Sequence, residues 1–91
     1  MAIETTGIAR LDALLAALDG DLLPEALDLA LRRLLPGIEV RHCDASDVLE
    51  EPFRETGHVD LHLLDASSHC IRVTEDPAEA TAILIAGRVS A

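Results

Sequence analysis

The chain of 91 residues contains no lysine, tyrosine, tryptophan, asparagine or glutamine, and its single aromatic residue is Phe53. Without lysine, the chain cannot form a Schiff base or supply the lysine of a phosphate-binding loop. Without further aromatic side chains, it has no platform on which nucleic-acid bases stack. These absences exclude several classes of enzyme and argue against a nucleic-acid-binding function.

Positive charge is scarce as well. Seven arginines face 17 acidic residues, which gives a formal net charge of −10 at pH 7. Such a surface repels phosphate backbones and anionic lipids, so we expect neither nucleic acid nor a membrane as a partner. A basic protein surface, a cation or a neutral ligand fits the charge better. The alternative is that the charge only keeps in solution a small domain with 49% hydrophobic residues.

Long apolar runs are missing too. No segment reaches the roughly 18 consecutive apolar residues that a membrane span needs. The sequence begins MAIE, without the basic region and apolar core of a signal peptide, so a cytoplasmic location with reduced cysteines is expected. The length predicts a single domain that spans residues 1–91.

Two amphipathic helices are predicted in the first third of the chain. Thr5-Thr6 precede apolar residues at helical spacing from about residue 7 to residue 18. Pro24 suits the first position of a second helix, which Pro36-Gly37 stop. The pattern predicts an antiparallel helical hairpin.

Three strands and two further helices are predicted after this hairpin. Residues 38–42, 58–63 and 70–74 alternate apolar and polar side chains, which is typical of strands. Asp44 is expected to cap a short helix over residues 46–51, and Asp76-Pro77 to open a final helix that includes residues 80–87. The predicted fold is α+β, in the order α-α-β-α-β-β-α, with a small three-stranded sheet and helices on one face.

The second and third predicted strands suggest a register for their hairpin. A loop with an odd number of residues, three or five, pairs Leu63 with Ile71 and Leu61 with Val73. This register gives one apolar face, whereas a shift by one residue turns every side chain over. His62, Leu64, Cys70 and Arg72 are then expected on the opposite face.

Two His-Cys pairs are the most suggestive chemical feature. His42-Cys43 end the first predicted strand and His69-Cys70 open the third. Cysteine and histidine are ligands that transition metals prefer, so a metal site formed by Cys43 and Cys70, with His42 or His69, is one hypothesis. It requires the two strands to be neighbours. The competing interpretation is that both cysteines pack as small apolar residues.

Other candidate sites are weaker. His58 and His62 lie about 13 Å apart on an extended strand, too far for one metal ion. We interpret their face as solvated, and a covering partner is the alternative. His42, Cys43 and Asp44 are sequence neighbours that diverge on a strand, so they form no catalytic triad. No phosphate loop or nucleophile elbow is present in the sequence, and an enzyme is the least favoured class.

Three stretches carry a resemblance to a known family: EVRHCDASDV (39–48), LHLLD (61–65) and SHCIRVTEDPAEAT (68–81). They resemble a small uncharacterised protein family associated with bacterial nitrogen-fixation gene clusters, over roughly residues 39 to 86. The resemblance implies an accessory role near nitrogenase or its cofactor assembly. It also raises the metal hypothesis, because Cys43 and Cys70 fall within the matching stretches.

The function predicted from these observations is a non-enzymatic accessory module that binds another protein or forms a homodimer. The alternative is a metal or cofactor carrier that uses Cys43 and Cys70 to hold a transition metal.

Overall fold

The computed structural model describes residues 3–18, 23–56, 58–67 and 70–88. They form two α-helices and five β-strands, with two short 3₁₀ turns at Ala45–Asp47 and Pro77–Glu79. The predicted α+β class and the two N-terminal helices are confirmed. The elements are α1 (Thr5–Leu18), α2 (Pro24–Leu34), β1 (Glu39–Asp44), β2 (Arg54–Glu55), β3 (Val59–Asp65), β4 (Arg72–Thr74) and β5 (Ala82–Gly87).

The five strands form one mixed sheet rather than the predicted three-stranded one. Its order is β1-β5-β3-β2, and β4 pairs with a second stretch of β3. The last strand in the sequence, β5, lies in the interior of the sheet, parallel to β1 and antiparallel to β3. β1 is therefore an edge strand, and β2 lies at the opposite edge.

β5 corrects the prediction of a final helix. The expected cap is present, but it opens only the turn Pro77–Glu79, in which the Asp76 side chain accepts the backbone N–H of Ala78. Both faces of β5 are buried, with Ile83 and Ile85 on one and two alanines on the other. A strand buried on both faces carries a continuous apolar run rather than an alternating pattern, so its spacing resembles that of a helix.

The helix predicted over residues 46–51 is also wrong. Asp44 does cap the following turn, because its side chain accepts the backbone N–H of Ser46. The turn ends at Asp47, however, and residues 48–53 are neither helix nor strand. One capped turn is shorter than an isolated helix needs to be stable.

The β3–β4 hairpin has an even connection, residues 66–71, instead of an odd one. Leu63 lies opposite Thr74 and Leu64 opposite Val73. The odd register rests on the premise that only one face of the sheet is apolar. That premise is wrong, because Leu61 and Leu63 are buried on one face and Leu64 on the other.

Both helices pack on one face of the sheet. Leu11 of α1 and Leu27 and Leu31 of α2 are fully buried there. Burying each such side chain stabilises the fold by about 1.5–3 kcal/mol. The strand residues in the same core are Val40, Val59, Leu61, Leu63, Ile83 and Ile85.

A polar clamp ties α1 to the sheet edge. Arg54 of β2 donates from Nε to Oδ1 of Asp12 at 2.6 Å and from Nη2 to Oδ2 at 3.1 Å. Its guanidinium group also lies 4.2 Å from the centre of the Phe53 ring. The hydrogen bond from Arg54 holds the pKa of Asp12 below its ordinary value.

Candidate functional site

His42 and Cys43, the first proposed pair of metal ligands, lie on opposite faces of β1. His42 faces α2, where its Nε2 is 2.6 Å from Oδ2 of Asp28, while Arg32 pairs with the other oxygen of that carboxylate. The hydrogen bonds from His42 and Arg32 hold the pKa of Asp28 below its ordinary value. His42 is therefore engaged with a carboxylate on the helix face, away from the Cys43 side chain.

Cys43 lies half-buried on the second face of the sheet. Burial raises the pKa of its thiol, and the charges of Asp47 and Asp44 raise it further. Nucleophilic attack and metal binding both use the thiolate. The surroundings of Cys43 thus favour the protonated thiol over the thiolate.

Cys43 and Cys70 lie far apart along the sheet. The register aligns Cys43 with Ala86 of β5 and, through it, with Asp60 of β3. Cys70 precedes β4, whose first residue is opposite Asp65, five residues further along β3. At about 3.3 Å per residue, this offset alone is roughly 17 Å.

One metal ion cannot bridge such a separation, because zinc–sulfur bonds are only about 2.3 Å long. Within the described ranges, no group of three or more His, Cys, Asp or Glu side chains is arranged to hold a metal ion. The fourth proposed ligand, His69, lies outside the described residues. A metal ion held between two chains stays a prediction.

His62 corrects the interpretation of its face as solvated. The side chain is only 2% exposed, beside Leu64, which is 5% exposed. Its Nδ1 is buried and has no hydrogen-bond partner among the residues that the structure describes. The neighbouring Asp60 is instead paired with Arg88 at 2.8 Å. The second face of the sheet is thus a partly apolar layer that contains one imidazole.

Asp65 forms the most fully satisfied polar cluster, at the start of the β3–β4 connection. Its carboxylate accepts the backbone N–H of Ser67 at 2.9 Å, the Ser67 hydroxyl at 2.5 Å and an Arg72 N–H at 3.0 Å. These hydrogen bonds, chiefly those from Ser67, lower the pKa of Asp65 to about 2. Ser67 and Arg72 lie in the connection or at its end, so these bonds hold the hairpin together.

The most exposed large apolar side chain of the described residues lies in the segment that joins β1 to β2, which we call the Leu49 loop (residues 45–53). The loop carries the chain from one edge of the sheet to the other. Leu49 is 94% exposed, whereas Val48 and Pro52 on either side are half-buried. The loop is thus held at two points, and Leu49 projects between them.

Carboxylates surround this leucine in the sequence. Asp47, Glu50 and Glu51 are all exposed. The sequence contains a signal for this feature, an apolar pair within a run of acidic residues, but the same run also fits the short helix predicted over residues 46–51. Only the structure shows that Leu49 makes almost no contact with the described part of its own chain.

Three other large apolar residues are exposed to a lesser degree. Leu23 is 60%, Leu29 54% and Ile71 45% exposed. Isolated apolar residues are common on protein surfaces. They differ from Leu49 because each retains substantial contact with its own chain.

Among the residues that the structure describes, neither helix combines the length and the apolar character that a membrane span requires. No curated protein and no solved structure is significantly similar to the chain. A family profile, described as a family of unknown function (DUF6129), matches residues 8–88 and so includes nearly every element of the fold. The chain belongs to this family of unknown function, DUF6129.

Proposed function

We propose that this chain is a non-enzymatic accessory module that binds another protein through the Leu49 loop. The observation that carries the proposal is the 94% exposure of Leu49, which lies in the loop between the half-buried residues Val48 and Pro52. Burying such a side chain in a partner removes its apolar surface from water, at roughly 25 cal/mol per Å². Interfaces commonly depend on a few such anchors that fill a pocket on the partner.

The charges of the loop indicate the kind of partner. Asp47, Glu50 and Glu51 lie within two residues of Leu49, and the whole chain carries a net charge of −10. A complementary surface has an apolar pocket with arginine or lysine at its rim. Such complementarity speeds association and excludes acidic partners. The proposal therefore favours a basic protein over nucleic acid or a membrane.

The homodimer expected from the sequence remains a prediction that sedimentation velocity tests. Two observations argue against one form of this dimer, in which the β1 edges of two copies pair. Antiparallel pairing of two β1 edges, centred between Arg41 and His42, places Glu39 of each copy opposite Asp44 of the other. Like charges directly opposite each other destabilise a strand pair. Moreover, Arg32 lies 3.5 Å from the Val40 carbonyl oxygen on this strand.

The proposal also names the cellular process in which the module acts. The resemblance of residues 39–86 to proteins of nitrogen-fixation gene clusters supports an accessory role in that process, in the cytoplasm.

The alternative, a transition-metal carrier, requires Cys43 and Cys70 of different chains to meet. Elemental analysis of protein purified without oxygen tests it. A stoichiometric metal that is lost in Cys43→Ser would favour the carrier over the interaction module.

The test of the module uses a matched pair of substitutions. Leu49→Asp removes the proposed anchor, and Leu29→Asp makes the same change at an exposed position on α2. Full-length protein of each kind is expressed with an affinity tag in the source organism, and co-purifying proteins are identified. We expect a basic protein to accompany the wild type and Leu29→Asp but not Leu49→Asp.

Two controls complete this test. The recovered partner is purified and titrated against each variant, because co-purification alone does not show a direct contact. Leu49→Asp is expected to leave the free energy of unfolding within about 0.5 kcal/mol of the wild type, as surface changes usually do. A partner that binds Leu49→Asp as tightly as wild type would overturn the proposal.

A further inference from the structure

A groove of about 540 Å³ lies between the start of α1 and the turn Pro77–Glu79. Its apolar lining comes from Ile3, Ile8, Pro77 and Ala78. The backbone N–H of Ile3 donates to the Pro77 carbonyl oxygen at 2.9 Å, which ties the two walls together. The shape is therefore built into the fold, and its size suits a few side chains of a bound segment.

The polar lining of the groove is acidic. Glu4 and Asp76 both line it, and no arginine does so within the described part of the chain. Neither carboxylate takes part in an ion pair among the described residues. Asp76 already accepts the backbone N–H of Ala78, which fixes the position of its carboxylate at the rim.

The groove and the Leu49 loop lie at opposite ends of the sheet. The turn Pro77–Glu79 comes shortly before β5, whereas the loop follows β1, and these two strands are parallel with all six residues paired. Six residues of strand span about 20 Å. Binding at the groove therefore does not depend on Leu49.

We propose that this groove binds a short segment of a partner protein in which an apolar side chain is flanked by lysine or arginine. The apolar side chain packs between Ile8 and Pro77, and the flanking cations pair with Glu4 and Asp76. Charge complementarity indicates a basic segment as the ligand, since an apolar groove without charges would bind many segments. The two carboxylates repel an acidic or phosphorylated segment and so disfavour it.

A library of random 12-residue peptides, displayed on phage and selected on the full-length chain, tests the proposal. The dominant peptide is then synthesised, and its affinity is measured by fluorescence polarisation. Two variants perturb the groove without removing a buried side chain. Ala78→Trp fills it, and Glu4→Arg reverses one of its charges.

Matched controls make the same changes elsewhere. Ala26→Trp places the indole on an exposed face of α2. Glu25→Arg reverses the charge of an acidic residue at the start of a helix, as Glu4→Arg does. Chemical-shift mapping with the selected peptide supplies a second readout on the unmodified protein. Leu49→Asp is included as well, because its affinity for the peptide should equal that of the wild type.

We expect enrichment of peptides that combine lysine or arginine with an apolar residue. Their affinity should fall at least tenfold in Ala78→Trp and in Glu4→Arg, and less than twofold in the three controls. The largest shifts should fall on residues 3–8 and 76–78.

Three results would overturn the proposal. The first is a selection that yields no binder, or binders without basic residues. The second is a binder whose affinity Ala78→Trp leaves unchanged. The third is a wild-type protein that sediments as a dimer and becomes monomeric in Ala78→Trp, because a second copy would then occupy the groove.

Discussion

Replacing His62 by leucine should stabilise the protein, although the position is buried. The imidazole is 2% exposed, and its buried Nδ1 has no hydrogen-bond partner among the described residues. A buried polar atom without a partner costs about 1–3 kcal/mol. Leucine has a similar volume and no polar atom, and it would join a layer that already contains Leu64.

We expect the free energy of unfolding to rise by about 1 kcal/mol, at the lower end of that range. Leucine differs in shape from histidine, and its imperfect packing offsets part of the stabilisation. In a domain of this size, such a change raises Tm by roughly 4–8 °C. Urea unfolding at neutral pH, followed by circular dichroism, measures the free energy directly. The slope of the transition should not change if the denatured state is unaffected.

The neighbouring Leu61 provides the control. It is 0% exposed and faces the helices, so Leu61→Ala should cost about 2–5 kcal/mol. This loss shows that the assay detects core changes on β3. If His62→Leu lowered the free energy of unfolding by more than about 0.5 kcal/mol, Nδ1 would have a partner in solution and the reasoning would fail.

Three further predictions concern single polar or backbone features. Arg54→Met should lower the free energy of urea unfolding by about 0.5–1 kcal/mol, since the ion pair between Arg54 and Asp12 is partly exposed. Adding Asp12→Ala to this variant should lower it little further, because the ion pair is already lost. Gly37→Ala should lower stability by about 1 kcal/mol, because Gly37 has a φ of 97° that alanine adopts only with strain. Gly87→Ala serves as the comparison, because the nearest atom to a Cβ added there is Cγ of Pro24 at 3.9 Å, an ordinary contact. The contribution of Asp65 is present above the ordinary carboxyl pKa of 3.8 and is lost as the pH falls towards about 2; Asp65→Asn should therefore flatten the acid limb of a stability–pH profile.

The sequence predicted the features that depend on residues close together in the chain. α2 begins at Pro24 and ends just before Pro36-Gly37, as expected from proline at a first helical position and the following stop signal. The Asp44 and Asp76 caps are both present. These features are local, since each depends on a side chain and a backbone group two or three residues away.

The features that the sequence did not predict depend on distant contacts. β5 forms because β1, about 40 residues earlier, pairs with one of its edges and β3 with the other. Burial on both faces also explains why the register predicted for the β3–β4 hairpin is wrong, because Leu64 and Val73 share the second face. The exposure of Leu49 could not be predicted from the sequence either, since it follows from the path of the loop rather than from the local apolar pattern.

The most direct test of the proposed function is the affinity of the recovered partner for wild-type protein and for Leu49→Asp, measured by isothermal titration calorimetry. The account predicts that Leu49→Asp weakens binding at least tenfold, whereas Leu29→Asp changes it less than twofold. Because central interface anchors often contribute 2 kcal/mol or more, roughly a thirtyfold loss is the expected size. Equal affinity of Leu49→Asp and wild type would contradict the claim that this loop is the binding surface.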